Sequence, residues 1–511
     1  MRPPLLPGKE AFVHLCDHGR VTYRELLHAV SEGDVDSVRR MLHPDTDLNR
    51  APGTTPLYRA AVHGDHEMVR LLLEYGADPD RASGGKDEGL PLCAAASWNH
   101  WEAVQALVDG GADPDAAEAG GWTALLWAAT QGHLRSADIL LDAGAAPDTA
   151  DDAGNTPLTA AARFGAYGVV WSLLEHGADP ALPDGAGDTA LDIARRWSAI
   201  DLEAELRDEV TRHAEPGWAI MVAKDHAADG TELIMAEARD AKGDGFRTAR
   251  QRGHAAITIL LEEALGLRTS AEELVARAAP YLDLDEDGET WWAAVHALQK
   301  RHDEETFEAA AELCDSGDPQ DREFAVDVLA QFGYDADVRP FRERSLAILR
   351  RMAPTETEPK VVDALLSAIA HHADAEALPE VLEILDRPGR RPSCKDAMAL
   401  AAVLPPGDEE GLARLVRLTE EDDAEVRDWA TMGLAGLDAD TPRIREALAA
   451  RLADRDISTV AEAARGLAQR GDRRAIGGIH RVLSETDDDY ARDLALEGAT
   501  RLGLEIETVI R

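Results

Sequence analysis

The chain has 511 residues, 45% of them hydrophobic, and a formal charge of −44 from 97 acidic against 53 basic side chains. That length allows two or more domains with ample cores, while the charge repels phosphate and argues against nucleic-acid binding. No run of about eighteen apolar residues offers a membrane span, and the start, Met1 to Pro7, lacks the continuous apolar core of a secretory leader.

Residues 1–21 read as an N-terminal arm. The stretch Tyr23 to Asp34 follows, with helical apolar spacing and a Gly33-Asp34 turn, as in the opening unit of a repeat array. Then one phrase recurs: Thr55-Pro56-Leu57, Leu90-Pro91-Leu92, Thr123-Ala124-Leu125, Thr156-Pro157-Leu158 and Thr189-Ala190-Leu191, at steps of 35, 33, 33 and 33 residues. Threonine caps a helix, proline suits its first turn, and a late glycine, as in Tyr75-Gly76-Ala77-Asp78-Pro79 or His176-Gly177-Ala178-Asp179-Pro180, ends the next helix in a left-handed turn. Paired alanines (Ala60-Ala61, Ala95-Ala96, Ala128-Ala129, Ala161-Ala162) predict close helix approach.

On these residues the segment 22–266 resembles the ankyrin-repeat family. A shortened phrase at Arg247-Thr248-Ala249 reads as a last unit, which leaves an insertion near 214–245. Its apolar runs, Trp218 to Ala223 and Thr231 to Ala236, fit a β-hairpin. In the family, the positions after the paired alanines and after the leucine of the phrase vary and face the concave side. The resemblance therefore implies partner binding by Arg59, His63, Trp98, Trp127, Gln131, Arg163 and Phe164, residue types that dominate interface energetics. Arg81, Glu118, Asp151, Asp152 and Asp184, at the hairpin tips, are expected as a polar rim.

After a linker at 267–270 the pattern changes. In 271–511, Asp318 to Arg322 precedes Ala325 and Leu329, Asp423 to Arg427 precedes Ala430 and Leu434, and Asp489 to Arg492 precedes Ala495 and Ala499; Val460 to Ala464 lacks the arginine. The aspartate is expected to cap a helix, and the arginine to reach a carboxylate or carbonyl of the neighbouring unit. This array is similar to short HEAT repeats of bacterial type, although Phe341 to Leu404 is degenerate. The expected fold is all-α, an ankyrin stack followed by a HEAT-like α-solenoid with a small hairpin insertion. Seven lysines against 46 arginines resemble the usage of GC-rich genomes such as those of actinobacteria.

Catalytic and metal motifs are weak. Asp283 to Glu289 copies the first half of an EF-hand loop, but Ala294 stands where the bidentate glutamate belongs, so an acidic helix-capping loop is the plainer reading. The histidines of the repeats, among them His100, His133 and His254, suit structural hydrogen bonding. Cys16, Cys93, Cys314 and Cys394 form no Cys-x-x-Cys and suit a reducing cytoplasm. Trp291, Trp292 and Trp429 read as core. The function that follows is a cytoplasmic, non-catalytic scaffold or adaptor, without cofactor or metal, for a protein partner whose basic surface would complement the charge. Two other readings stay open: a HEAT-like enzyme or subunit of bilin-lyase type, and an acidic inhibitor or immunity protein.

Overall fold

A computed structural model describes residues 22–44, 46–50, 53–84, 89–226, 232–240, 242–243, 245–281, 288–332 and 340–504. The arm 1–21 and most of the EF-hand-like loop, 282–287, lie outside the described residues. The all-α expectation holds: among the described residues helices dominate, with one three-stranded sheet. The chain divides into two compact units, 1–268 with 282–290, and 269–281 with 291–511.

In the first unit, helices pair as inner and outer partners: Tyr23–Ser31 with Val35–Met41, Pro56–His63 with His66–Glu74, Pro91–Ser97 with Trp101–Asp109, Ala124–Gln131 with Leu134–Asp142, and Pro157–Phe164 with Tyr167–Glu175. The threonines act as their chemistry requires. The hydroxyls of Thr55, Thr123, Thr156 and Thr189 each accept the backbone N–H three residues on. Leu90 has no such hydroxyl; its own N–H donates instead to Glu118 Oε1 at 2.6 Å. The paired alanines are fully buried, which lets successive inner helices approach closely. At the loops, Asp80, Asp115 and Asp148 accept the backbone N–H of Asp113, Ala146 and Asp179 in the next repeat, at 3.0, 2.8 and 3.0 Å. This ladder gives the aspartate that follows the loop proline a stacking role.

The sixth repeat departs from the expectation. Its inner helix is Ala190–Ser198, but the helix that completes it is His254–Ala264, whose Ile257 and Leu261 join the repeat core. The ring of His254 faces the Arg163 carbonyl (3.4 Å) as His100 faces Val62 and His133 faces Ala96, with the sequence offset stretched from 38 and 37 residues to 91. Between those two helices sit the helix Leu202–His213 and three antiparallel strands, β1 (Ala219–His226), β2 (Glu232–Arg239) and β3 (Gly245–Gln251), in the order β1-β2-β3. Thr248 and Ala249 thus lie in β3 and open no new repeat. The expected hairpin is present as β1 and β2, with Ala223 opposite Met235. The insertion has its own small core of Leu202, Leu206, Val210, Ile234, Ala236 and Ala238, against which Trp218 packs.

The second unit stacks helix pairs in which Pro319–Gln331, Pro359–His372, Cys394–Val403, Ala424–Gly436, Ile457–Gln469 and Asp489–Arg501 follow one another as one layer. The stretch Phe341 to Leu404 forms two regular pairs of helices. Asp318, Asp423, Asp456 and Asp488 cap their helices. Arg322 holds Glu356 by two bonds (2.7 and 3.1 Å) and Arg427 holds Asp454 by two (3.0 and 2.9 Å), each carboxylate lying in the following helix pair. Arg492 instead bonds the carbonyls of Leu483 and Thr486 beside its own helix.

Trp291 is buried as expected and meets Phe324 edge-on at 5.1 Å, but Trp292 is 38% exposed and Trp429 half-buried. The Trp291 indole N–H donates to Asp327 Oδ2 at 2.8 Å. Burial pushes the Asp327 carboxyl up to about 7, and the indole bond opposes this only in part. In the fold Asp327 keeps its proton to higher pH than in the unfolded chain, so stability falls as pH rises from about 4 to about 7. Asp327→Asn preserves the acceptor for Trp291 and is expected to flatten that slope, with a gain of about 2–4 kcal/mol at pH 8. Thermal denaturation at pH 5 and pH 8 checks it.

Candidate functional site

The inner helices and the strand β3 bound two cavities in the first unit. The larger, about 1050 Å³, runs between β3 and the helix-to-helix turns of the third and fourth repeats. The smaller, about 230 Å³, lies over the inner helices Ala124–Gln131 and Pro157–Phe164. Thr130, Phe164 and Arg250 line both.

The seven residues singled out from sequence divide among three situations. Gln131 is exposed on the wall of the larger cavity, and Phe164, only 8% exposed, lines both, its ring occupying space left open by Gly132. Arg163 borders the smaller cavity, where its guanidinium is tied to the buried carboxylate of Asp184 at 2.6 Å. Phe164 is therefore a buried wall and not an exposed anchor. Trp127 is half-buried: its N–H donates to Glu118 Oε2 at 3.1 Å and its ring lies 4.4 Å from that of Trp122. Because Glu118 also holds the Leu90 N–H, Trp127 belongs to a latch between the third and fourth repeats.

Arg59, His63 and Trp98 lie on earlier repeats, outside both cavities. His63 Nδ1 contacts the Arg59 carbonyl at 2.8 Å within its own helix. Trp98 ends the helix Pro91–Ser97 and leaves 66% of its surface in water. The next residue, Asn99, turns the chain at φ 57°, where other repeats use glycine, and lines the larger cavity. Of the expected polar rim, Asp151 and Asp184 are buried instead. Each accepts backbone N–H groups of its own hairpin, Ala153 and Asn155 for the first, Ala186 and Asp188 for the second.

Several residues of this region escape a repeat-based reading because they come from the insertion. Arg250 is largely buried, which lowers its pKa, and its guanidinium lies 3.9 Å from Glu209 and 5.6 Å from the Trp197 ring. Gln251 is 1% exposed. One signal was available: Arg247, Arg250 and Arg252 crowd into six residues of a strongly acidic chain.

Comparison with known proteins agrees with the repeat geometry. Residues 26–118 and 102–184 match the family model of ankyrin repeats. A stretch of 58 residues is 45% identical to the potassium channel AKT1 of Oryza sativa subsp. indica, covering 11% of this chain and 6% of that protein. A stretch of 59 residues is 42% identical to the 2-5A-dependent ribonuclease of Mus musculus, 8% of its length, and a stretch of the same length and identity matches ankyrin repeat domain-containing protein 49 of Drosophila melanogaster, 27% of its length. The similarity thus spans about a quarter or less of each relative. Helix pairs, capped turns and sequence similarity agree that the N-terminal region of this chain, over residues 26–184, is an array of ankyrin repeats.

Proposed function

We propose that this protein is a non-catalytic scaffold or adaptor, working in the cytoplasm, whose ankyrin array holds a protein partner along the face that carries Arg59, His63, Trp98, Gln131 and the two cavities. Ankyrin repeats imply a protein partner at the level of class. The observation that carries the reading is Trp98: a large indole, 66% exposed at the end of an inner helix, beside a residue that lines the larger cavity. Buried on binding, such a side chain is the usual centre of an interface. No helix among the described residues is long and apolar enough to cross a membrane, and Cys93, Cys314 and Cys394 are free thiols, which fits a reducing compartment.

The C-terminal helix pairs are similar to HEAT repeats in their capping aspartates and in the Arg322–Glu356 and Arg427–Asp454 latches, which supports a role in stiffening the body or in meeting a second partner. The acidic surface complements a basic partner face. Affinity capture with full-length protein tests the proposal: Trp98→Ala is expected to reduce partner recovery at least tenfold, since truncating a central anchor removes 2 kcal/mol or more, roughly. Equal recovery of every partner by wild type and variant overturns it.

A further inference from the structure

In a chain of net charge −44, the larger of the two cavities described above is lined by three arginines, Arg135, Arg247 and Arg250, against one carboxylate, Asp138. That carboxylate is engaged by the Ser172 hydroxyl at 2.5 Å. Arg135 lies over the Trp101 ring at 4.8 Å and Arg247 rests against Met235 Sδ; neither forms an ion pair among the described residues. Arg250 has its Nε buried without an acceptor, and the Gln251 amide, on a residue 1% exposed, likewise leaves Nε2 without one. Buried donors without acceptors are costly and point to a group that supplies them.

The backbone adds a second, independent feature. β3 is an edge strand. Arg252 N–H donates to the Glu232 carbonyl at 3.2 Å, and since opposed residues of an antiparallel ladder alternate, Arg250, Thr248 and Phe246 turn their backbone groups toward β2 while Arg247, Ala249 and Gln251 turn theirs away. The Ala249 carbonyl takes an Arg250 N–H, but its amide and the Arg247 backbone remain on the open edge, beside the cavity.

We infer that this cavity takes an extended, acidic segment of the protein partner, which adds to β3 as a fourth strand and places carboxylates at alternate positions on Arg135 and Arg247, Arg250 lying on the other face of the sheet beside Glu209. Strand addition supplies affinity through the backbone and specificity through alternate side chains, and arginine forks suit carboxylates. The inference deepens the scaffold reading and rests on it. It also reverses the local sign: the partner as a whole complements an acidic surface, while the segment that enters the cavity is itself acidic.

The experiment is selection of a random dodecapeptide library on the full-length chain, followed by fluorescence anisotropy with the enriched peptides made synthetically. Enriched peptides are expected to carry Asp or Glu at alternate positions, and to bind Arg135→Glu/Arg247→Glu at least tenfold more weakly than wild type. Ala249→Pro removes the outward amide without touching the β2–β3 ladder and is expected to weaken binding similarly. Melting within a few degrees of wild type shows that the variants are folded, and Arg247→Glu alone, on an exposed side chain, serves if the double variant is not. Peptides without the acidic alternation, or equal binding by the charge-reversed protein, overturn the inference. Binding of pyrophosphate that survives Ala249→Pro, with no acidic peptide enriched, identifies a small-anion site and overturns it too. Partner capture separates the two levels: recovery that depends on Trp98 but is untouched by Arg247→Glu leaves the scaffold reading standing and removes this one.

Discussion

Arg427→Met is expected to weaken the C-terminal array by about 3 kcal/mol at pH 7, an effect visible as faster amide exchange in the helices Ala424–Gly436 and Ile457–Gln469. The cause is the carboxylate it leaves behind. The Asp454 side chain is 5% exposed and accepts two bonds from Arg427, one from Arg451 at 3.3 Å and one from the Asp456 backbone at 3.1 Å. Burial alone would push its carboxyl up, but the bonds and charges of Arg427, with the Asp456 N–H and Arg451, outweigh it and hold the pKa below the usual carboxylate range. A depressed carboxylate contributes stability above its unfolded pKa and loses it as pH falls through the folded one. The penalty of Arg427→Met should therefore shrink in acid, where Asp454 is protonated in either protein. Asp454→Leu combined with Arg427→Met should recover part of the loss, because the buried carboxylate goes with its main partner and Arg451 keeps its bond to the Thr419 carbonyl.

Gly165→Ala should cost the ankyrin unit about 3 kcal/mol, against about 1 for Gly144→Ala, in thermal melts followed by circular dichroism. Both glycines are left-handed, with φ 84° and 90°, so each variant bears the same backbone strain. They differ in surroundings. A Cβ on Gly144 meets nothing within 4 Å, whereas one on Gly165 would lie 2.1 Å from the Gln251 carbonyl oxygen and 2.6 Å from the His254 ring. The Gly165 carbonyl also accepts the Gly253 N–H at 3.1 Å, at the point where the inserted sheet returns to the repeats. The difference between the two variants measures how tightly the insertion is seated.

What could be read from the chain follows the range of the interactions involved. Threonine caps, alanine contacts and turn glycines act within a few residues, so the phrases that carry them marked the inner helices of the second to sixth repeats correctly. Gly253-His254 has the same local chemistry as Gly132-His133, and both open outer helices. Thr248-Ala249 imitates the start of a repeat, however, and the competing strand is stabilised by pairing with β2 and by packing on the helix Leu202–His213, which no local pattern announces. The candidate site was legible to a similar depth. Trp98 and Gln131 lie exposed as their slots suggest, but Trp127, Arg163 and Phe164 are committed to Glu118, Asp184 and the space over Gly132, partners 9 and 21 residues away or across a repeat boundary. The arginines of β3 reach the cavity only because the insertion folds back over the turns.

In a repeat stack every contact is between near neighbours in sequence, so assembly can start anywhere and spread. The sixth repeat breaks that locality. Its two helices, Ala190–Ser198 and His254–Ala264, meet only after the intervening chain has been brought round, where the other repeats join theirs through a turn of a few residues. Closing the longer loop costs on the order of 2 kcal/mol more in chain entropy. The inserted helix and sheet, with a core of their own, shorten that path once formed. Completion of the array at its C-terminal end is thereby coupled to folding of the element that walls its cavity.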